Sequence, residues 1–430
     1  MIQFLKISLI TLLSFNFLNA AELDNYLKSA YEGNSKLNAE RQNFSAINEN
    51  KNISRSKFLP NLTISGDISD QNSTNRTNSS GSTLSDTNLQ SETRSYEITQ
   101  KIFDGFQGIN NYKKSELEVE QAKIKLKSTE QSVMLDALNA YYDLYYKGES
   151  LKFYKENNDL FERQVETDRA RLQRGEISLT DLAQSESSLA GAYANLIRSE
   201  TEYVASKENF VRVIGTEVPE IVSFVDFKLN LPNNLVTALQ ESEKNNPGLL
   251  ISQIDYLISE KDLNIERAGL SPSATLSFKS SESSGTSSTV DDQDQETVKA
   301  TVTWPIFKGG ENLSTIKKAK YKVAQYKLLY EDNLKKNKTD TSNSWSKFQS
   351  FQSVLKSTEA QVKAAEIANE GITLEYETGK KRTTLEVIQS RTLLLNAKIN
   401  LAKAQKDYMI SKFELMAIIG RLTFDNLTAS

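Results

Sequence analysis

Carboxylates, lysines, arginines and tyrosines are the reactive repertoire of this 430-residue chain, which holds no cysteine and no histidine. That absence removes disulfides, thiolate nucleophiles and a lipid anchor on a leading cysteine. It also removes the commonest general base and the commonest zinc ligand. Carboxylates close enough in sequence to share a proton stand at Asp291 and Asp292, with Glu296 nearby. They lie in the tract KSSESSGTSSTVDDQDQE (279–296), which has almost no apolar residue to raise a carboxyl pKa. A cell-wall hydrolase built on these acids is therefore not expected. The chain reads as non-enzymatic, and we assign it no catalytic residue, cofactor or metal. A net charge of −4 argues against nucleic acid as a partner.

The elements that would position any functional side chain are written twice. Residues 23–70 align without a gap on 235–282, so that Leu37 falls on Leu249, Arg55 on Arg267 and Pro60 on Pro272, an offset of 212. Further on, KIFDG (101–105) matches PIFKG (305–309) and Gly175 matches Gly379, both at 204, while Gly215 matches Gly420 at 205. Repeats of about 190 residues are too long for a solenoid unit and indicate one architectural half, duplicated and fused. The expected organisation is a first repeat over 21–215, a linker over 216–234, a second repeat over 235–420 and a short tail over 421–430.

Ahead of the repeats, Lys6 precedes an apolar run from Ile7 to Leu18 and the small residues Asn19-Ala20-Ala21. This pattern predicts a secretory signal peptide over 1–20, cleaved before Ala21 or Glu22. No later apolar run reaches the ~18–20 residues of a membrane helix.

Each repeat begins with a helix, expected over 23–57 and 235–270 and stopped by Pro60 and Pro272. Paired alternating segments follow, with hairpins expected over about 60–104 and 272–308. Leu62, Ile64, Gly66 and Ile68 alternate with polar residues, as do Tyr96, Ile98, Gln100 and Ile102. In the second repeat Ala274, Leu276 and Phe278 alternate, then Val298, Ala300, Val302, Trp304 and Ile306. One apolar and one polar face over ~9–11 residues suits a tilted membrane strand. The polar tracts 70–93 and 279–296 are expected to be long flexible hairpin tips. Four strands cannot close a barrel, and an open edge cannot sit in lipid, so membrane strands here require several chains to pool them.

Turns at Gly105 and at Gly309-Gly310 then start proline-free helices of about 65 residues, 108–173 and 312–378. Each is roughly 100 Å long. Turns at Gly175 and Gly379 reverse the chain into return helices, completing helical hairpins over 108–215 and 312–420. Leu394, Ala397, Leu401, Ala404, Tyr408, Ser411, Leu415 and Ile418 follow 3-4 spacing. So do Leu189, Ala192, Leu196, Ser199, Tyr203, Ser206, Phe210 and Val213, 205 positions earlier. Such a seam means helix packing against a coiled-coil-like neighbour.

With these elements in place, the chain resembles the TolC family of outer-membrane efflux proteins over nearly its whole mature length. The resemblance is carried by FLPNLTISGD (58–67), WPIFKGG (304–310), RGEISLTDLAQSES (174–187), YETGKKRTTLEVIQSRTLLLNAK (376–398) and the helix ends VIG (213–215) and IIG (418–420). It implies a mainly α fold with a β portion. In that fold a homotrimer pools four strands per chain into a twelve-stranded transmembrane β-barrel in outer-membrane lipid, and the helical hairpins form a periplasmic α-barrel. It further implies a passive exit duct of a tripartite efflux pump or type I secretion system. The expected partners are a periplasmic adaptor and an inner-membrane transporter of RND or ABC type.

Carried over position by position, the family's periplasmic gate falls on Asp181, with Tyr376 and Arg382 of the second repeat as its partners and Lys381 as the alternative to Arg382. The constriction ring falls on Glu386 and Gln389, so that a trimer presents three carboxylates where the family has six. A further family link falls on Gln164 and Thr373, a pair unsuited to it, and is expected to be missing. Asp181 and Glu386 also fit as acids at helix starts, favoured by the helix dipole. The competing architecture is a secreted trimeric coiled-coil stalk or adhesin. It would need one continuous heptad per chain, without paired strands or return helices.

Overall fold

The computed structural model of the chain describes residues 23–428 apart from 221, 228, 288–289 and 379–381. The signal peptide, Gly379 and Lys381 lie outside the described residues. Helix α1 (23–33) is followed by α2 (Ser35–Ser56), β1 (Asn61–Ser73), β2 (Thr87–Phe103), α3 (Gln107–Gln173) and α4 (Leu179–Ile214). Then come α5 (Leu235–Asn245), α6 (Pro247–Ala268), β3 (Ser273–Ser287), β4 (Val290–Thr303), α7 (Glu311–Glu377), α8 (Thr384–Ile418) and α9 (Phe424–Thr428). The paired strands and return helices are at odds with a single continuous coiled coil.

The duplication is visible in the element boundaries. Helices α1 and α2 recur as α5 and α6 at the offset of 212, and α3 recurs as α7 with the same 67 residues. The single opening helix expected in each repeat is instead two helices, broken at Asn34 and Asn246. Asn34 Oδ1 accepts the Lys36 and Leu37 amides, and Asn246 Oδ1 accepts that of Leu249. An asparagine cap supplies the acceptor that a new helix start needs, and Pro247 in the first turn has no N–H to satisfy.

The chain forms two compact units. One comprises 43–123 and 251–331, and the other the residues up to 42, 124–250 and those from 332 onward.

The first of these units holds a four-stranded antiparallel sheet in the order β1-β2-β3-β4. The pairing Leu62↔Ile98↔Phe278↔Val298 puts the apolar members of all four strands on one face. That face is uncovered: Ile68 is 81% and Val298 73% exposed. The polar face is the sheltered one in β2, where Ser95 is 4% exposed beside Tyr96 at 53%. The ladder also runs through much of the tracts expected to be flexible, reaching Ser73↔Thr87 in one hairpin and Ser284↔Asp292 in the other. Backbone N–H and C=O groups pair whatever the polarity of the side chains, and serine and threonine fit a ladder once a hairpin has begun. At Gly105 the chain turns into α3 with φ +67°, and a Cβ there would lie 2.5 Å from Ser271 Cβ, so only glycine fits.

The other unit is helical, and its largest fully buried side chains include Tyr142, Phe210, Phe413, Leu138 and Met409. The described residues of linker 216–234 form no helix or strand, and side chains of the long helices satisfy three of its carbonyls. Tyr141 Oη donates to Ser223 O (2.9 Å), Tyr142 Oη to Val225 O (2.6 Å) and Lys412 Nζ to Phe227 O (2.7 Å). The return-helix seams are inside, with Ala192, Ser199, Ser206 and Phe210 of α4 and Ala397, Ala404, Ser411 and Leu415 of α8 all buried. Ala192 meets Phe161 of α3 and Ile388 of α8, while Ala397 meets Val362 and Ala365 of α7. In the tail Leu427 is buried, and Phe424 stacks on Tyr31 at 4.8 Å.

Candidate functional site

The two helical hairpins turn in related ways. At the end of α3, Gly175 takes φ +73°, its amide donates to Leu172 O and the Glu176 amide to Arg171 O. This left-handed stop satisfies carbonyls that the helix end leaves free. Helix α4 then starts on a capping box. The Ser178 amide and hydroxyl donate to Asp181 Oδ2 (3.0 and 2.7 Å), and the Asp181 amide returns to Ser178 Oγ. Helix α8 repeats the device with Thr383 and Glu386, whose Oε2 accepts the Thr383 amide at 2.8 Å. These bonds to the ionised form hold the carboxyl groups of Asp181 and Glu386 below their ordinary values. For Asp181 the Ser178 hydroxyl is the larger cause, and for Glu386 it is the Thr383 amide.

The structure brings some of the expected gate residues together. Arg382 bridges Glu375 (2.6 Å) and Glu386 (3.0 Å), and the Glu375 bond, ahead of the Glu386 bond, raises the guanidinium pKa. Asp181 hydrogen-bonds to Ser178, and no hydrogen bond joins it to Tyr376 or Arg382 among the described residues. Gln389 is exposed. Tyr376 finds a different aspartate. Its hydroxyl donates to Asp168 Oδ1 at 3.3 Å and shares a hydrogen bond with Thr384 Oγ1 at 3.1 Å, and Arg171 lies over its ring at 4.6 Å.

Asp168 is the centre of this arrangement. It is 0% exposed, and besides Tyr376 it accepts Gln164 Nε2 at Oδ1 (2.9 Å) and Ser185 Oγ at Oδ2 (2.6 Å). Arg391 Nη1 donates to Gln164 Oε1 at 3.2 Å, and burial lowers its guanidinium pKa against the opposing pull of Glu377, Tyr376 and Asp168. A buried carboxylate is tolerated only with its lone pairs occupied, and here donors from α3, α4 and α7 occupy them. Tyr376 thus ties the second hairpin to the first. Gln164 is engaged by Asp168 and Arg391, while the Thr373 hydroxyl is buried without a hydrogen-bond partner among the described residues.

Asp168 carries two signals that a reading centred on the return helices passes over. It continues the buried stripe of Phe161 and Val165 at 4-3 spacing, where an apolar residue belongs, and its counterpart in the second repeat is Ile372.

No helix among the described residues is long and apolar enough to cross a membrane. The family model for outer membrane efflux proteins matches residues 26–216 and 238–421, one match per repeat. The chain is 26% identical to the outer membrane efflux protein BepC of Brucella suis over 402 residues, covering 93% of this chain and 86% of BepC. It is 23% identical to the outer membrane protein TolC of Escherichia coli, covering 98% of this chain and 86% of TolC. Among solved structures, the Campylobacter jejuni CmeC outer membrane channel superposes with a TM-score of 0.82 at 14% identity, covering 94% of this chain and 86% of that one. The chain belongs to the outer membrane efflux protein family, as an outer-membrane exit channel of a tripartite efflux or secretion system.

Proposed function

We propose that the working channel is a homotrimer in which each chain contributes its four strands to one twelve-stranded barrel. The observation that carries this is the sheet itself. Its apolar face is bare, and among the described residues β1 and β4 each have one ladder neighbour. In hydrocarbon each unpaired backbone group costs several kcal/mol, so β4 of one copy must find β1 of the next. Twelve pooled strands close such a sheet with a lumen wide enough for water.

The duct is shut at the helical-hairpin turns. Within each chain the latch is Tyr376 on Asp168, seated on Gln164 and Ser185. Asp181, Arg382, Glu386 and Gln389 are the residues offered to neighbouring copies and to the constriction. Exposed ion pairs such as those of Arg382 are weak, which suits a contact that an adaptor must release. The docking partners are a periplasmic adaptor and an inner-membrane transporter of the RND or ABC type.

Purified outer membranes run unheated on a denaturing gel test the assembly. A band of trimer size that collapses to the monomer on boiling is expected, together with conductance when the same material enters a planar bilayer. A heat-insensitive monomer without conductance would overturn the reading.

A further inference from the structure

The charges on the polar face of the sheet are sorted along the strands, and we propose that this face forms an anion-attracting collar at the helix-proximal end of the barrel, distinct from the carboxylate ring expected at the constriction. The proposal rests on the reading of the sheet as one third of a closed barrel, because only closure turns a polar face into a lumen wall.

The pairing register fixes which side chains share that face. Starting from the helix-proximal end, the rows are Lys101, Thr275 and Thr301, then Asn61, Thr99, Ser277 and Lys299, then Thr63, Glu97, Lys279 and Thr297. Beyond them comes a neutral row of Ser65, Ser95, Ser281 and Gln295, and then Asp67 with Thr93, Ser283 and Gln293. The first two rows carry two lysines and no acid. In the third, Lys279 stands directly across from Glu97 and the charges offset. Lys101, Lys279 and Lys299 are all exposed, and none makes an ion pair among the described residues.

Distance decides which charges count. Rows on one face are two residues apart, roughly 7 Å. Lys101 on β2 and Lys299 on β4 stand one row and two strands apart, about 12 Å, so each acts as a separate positive site at physiological ionic strength, where the Debye length is about 8 Å. Asp67 lies two rows past Glu97, about 13 Å away, and its field is screened from the lysine rows. Of the hairpin acids, Glu92, Glu282, Asp292, Asp294 and Glu296 pair onto the opposite, apolar face, while Asp291 falls on the polar face one row beyond Asp67, farther still from the lysine rows. A net positive belt thus remains on the lumen wall of a chain whose overall charge is negative. Rings of like-charged side chains select ions of opposite sign. Three copies complete the ring.

Reversal potentials of the full-length protein in planar bilayers under a KCl gradient give the chloride-to-potassium permeability ratio and test the collar. K101Q combined with K299Q is expected to lower the ratio about two-fold or more near 0.01 M salt, where the Debye length is ~30 Å. The difference should fade near 1 M, where it is ~3 Å. E97Q is expected to shift the ratio the opposite way, a check that does not depend on how well the double variant assembles. Normal conductance with an unchanged ratio in both variants would overturn the collar while leaving the channel standing. A wild-type trimer without conductance would instead remove the channel, and the collar with it.

Discussion

The two hairpin turns share their construction and differ in their chemistry. Each return helix opens on a capping box, Ser178 with Asp181 and Thr383 with Glu386. Each also sends a serine from matching positions, Ser185 and Ser390, to a polar residue of the outgoing helix. In the first repeat that residue is Asp168, charged and sealed from solvent; in the second it is Asn369, neutral and one helical turn earlier in the repeat frame. Tyr376 reaches across to the charged partner. Duplication supplied a symmetrical wall, and one unmatched carboxylate gives the pair of hairpins a bolt and a socket.

Breaking the socket should have the largest effect. Asp168→Ala leaves Gln164, Ser185 and Tyr376 facing a cavity with no acceptor, an expected loss of about 2–4 kcal/mol in local stability. Asn369→Ala should cost about 1 kcal/mol. Amide hydrogen exchange across 161–190 and 365–395 reads both, and equal losses would erase the proposed asymmetry. Removing only the bolt is milder. Tyr376→Phe keeps the ring under Arg171 but deletes the hydroxyl's two long hydrogen bonds, to Asp168 and Thr384, about 1 kcal/mol or roughly five-fold in open probability. Single-channel recording checks it, and an unchanged open probability would place the latch elsewhere.

The smallest effect is the one the two turns should share. Asp181 and Glu386 have depressed carboxyl pKa values, so the unfolded state binds more protons than the folded one as pH falls. Their caps contribute fully above the ordinary values of 3.8 and 4.5 and are lost as pH drops through the lower folded values. Both turns should therefore exchange amides faster below about pH 4 by similar amounts, once intrinsic exchange rates are corrected. Fraying of one turn alone would show that a contact outside the caps is titrating.

The wall was legible in the sequence because its signals are local and come in pairs. Period-two alternation, 3-4 seams and the offsets from Pro60 to Pro272 and from Gly175 to Gly379 each confirm the other copy. The helix breaks at Asn34 and Asn246 were less legible, since asparagine inside an apolar-periodic stretch reads equally well as a solvated helical position until its side chain is seen capping. The extension of the ladder through serine-rich tracts was hidden for another reason: composition reports the lack of a core, whereas backbone pairing needs none. Asp168 lay deepest. Its role comes from a tyrosine more than two hundred residues away, and no pattern within either repeat encodes that meeting.

The strands of 13, 17, 15 and 14 residues outrun the ~9–11 that a bilayer asks of them. Above the apolar band, then, the hairpins carry paired backbone as far as Ser73↔Thr87 and Ser284↔Asp292 before the tips begin. Because that pairing is indifferent to side-chain identity, positions such as Gln71, Asn72, Leu89 and Asn88 can be rewritten without loosening the ladder.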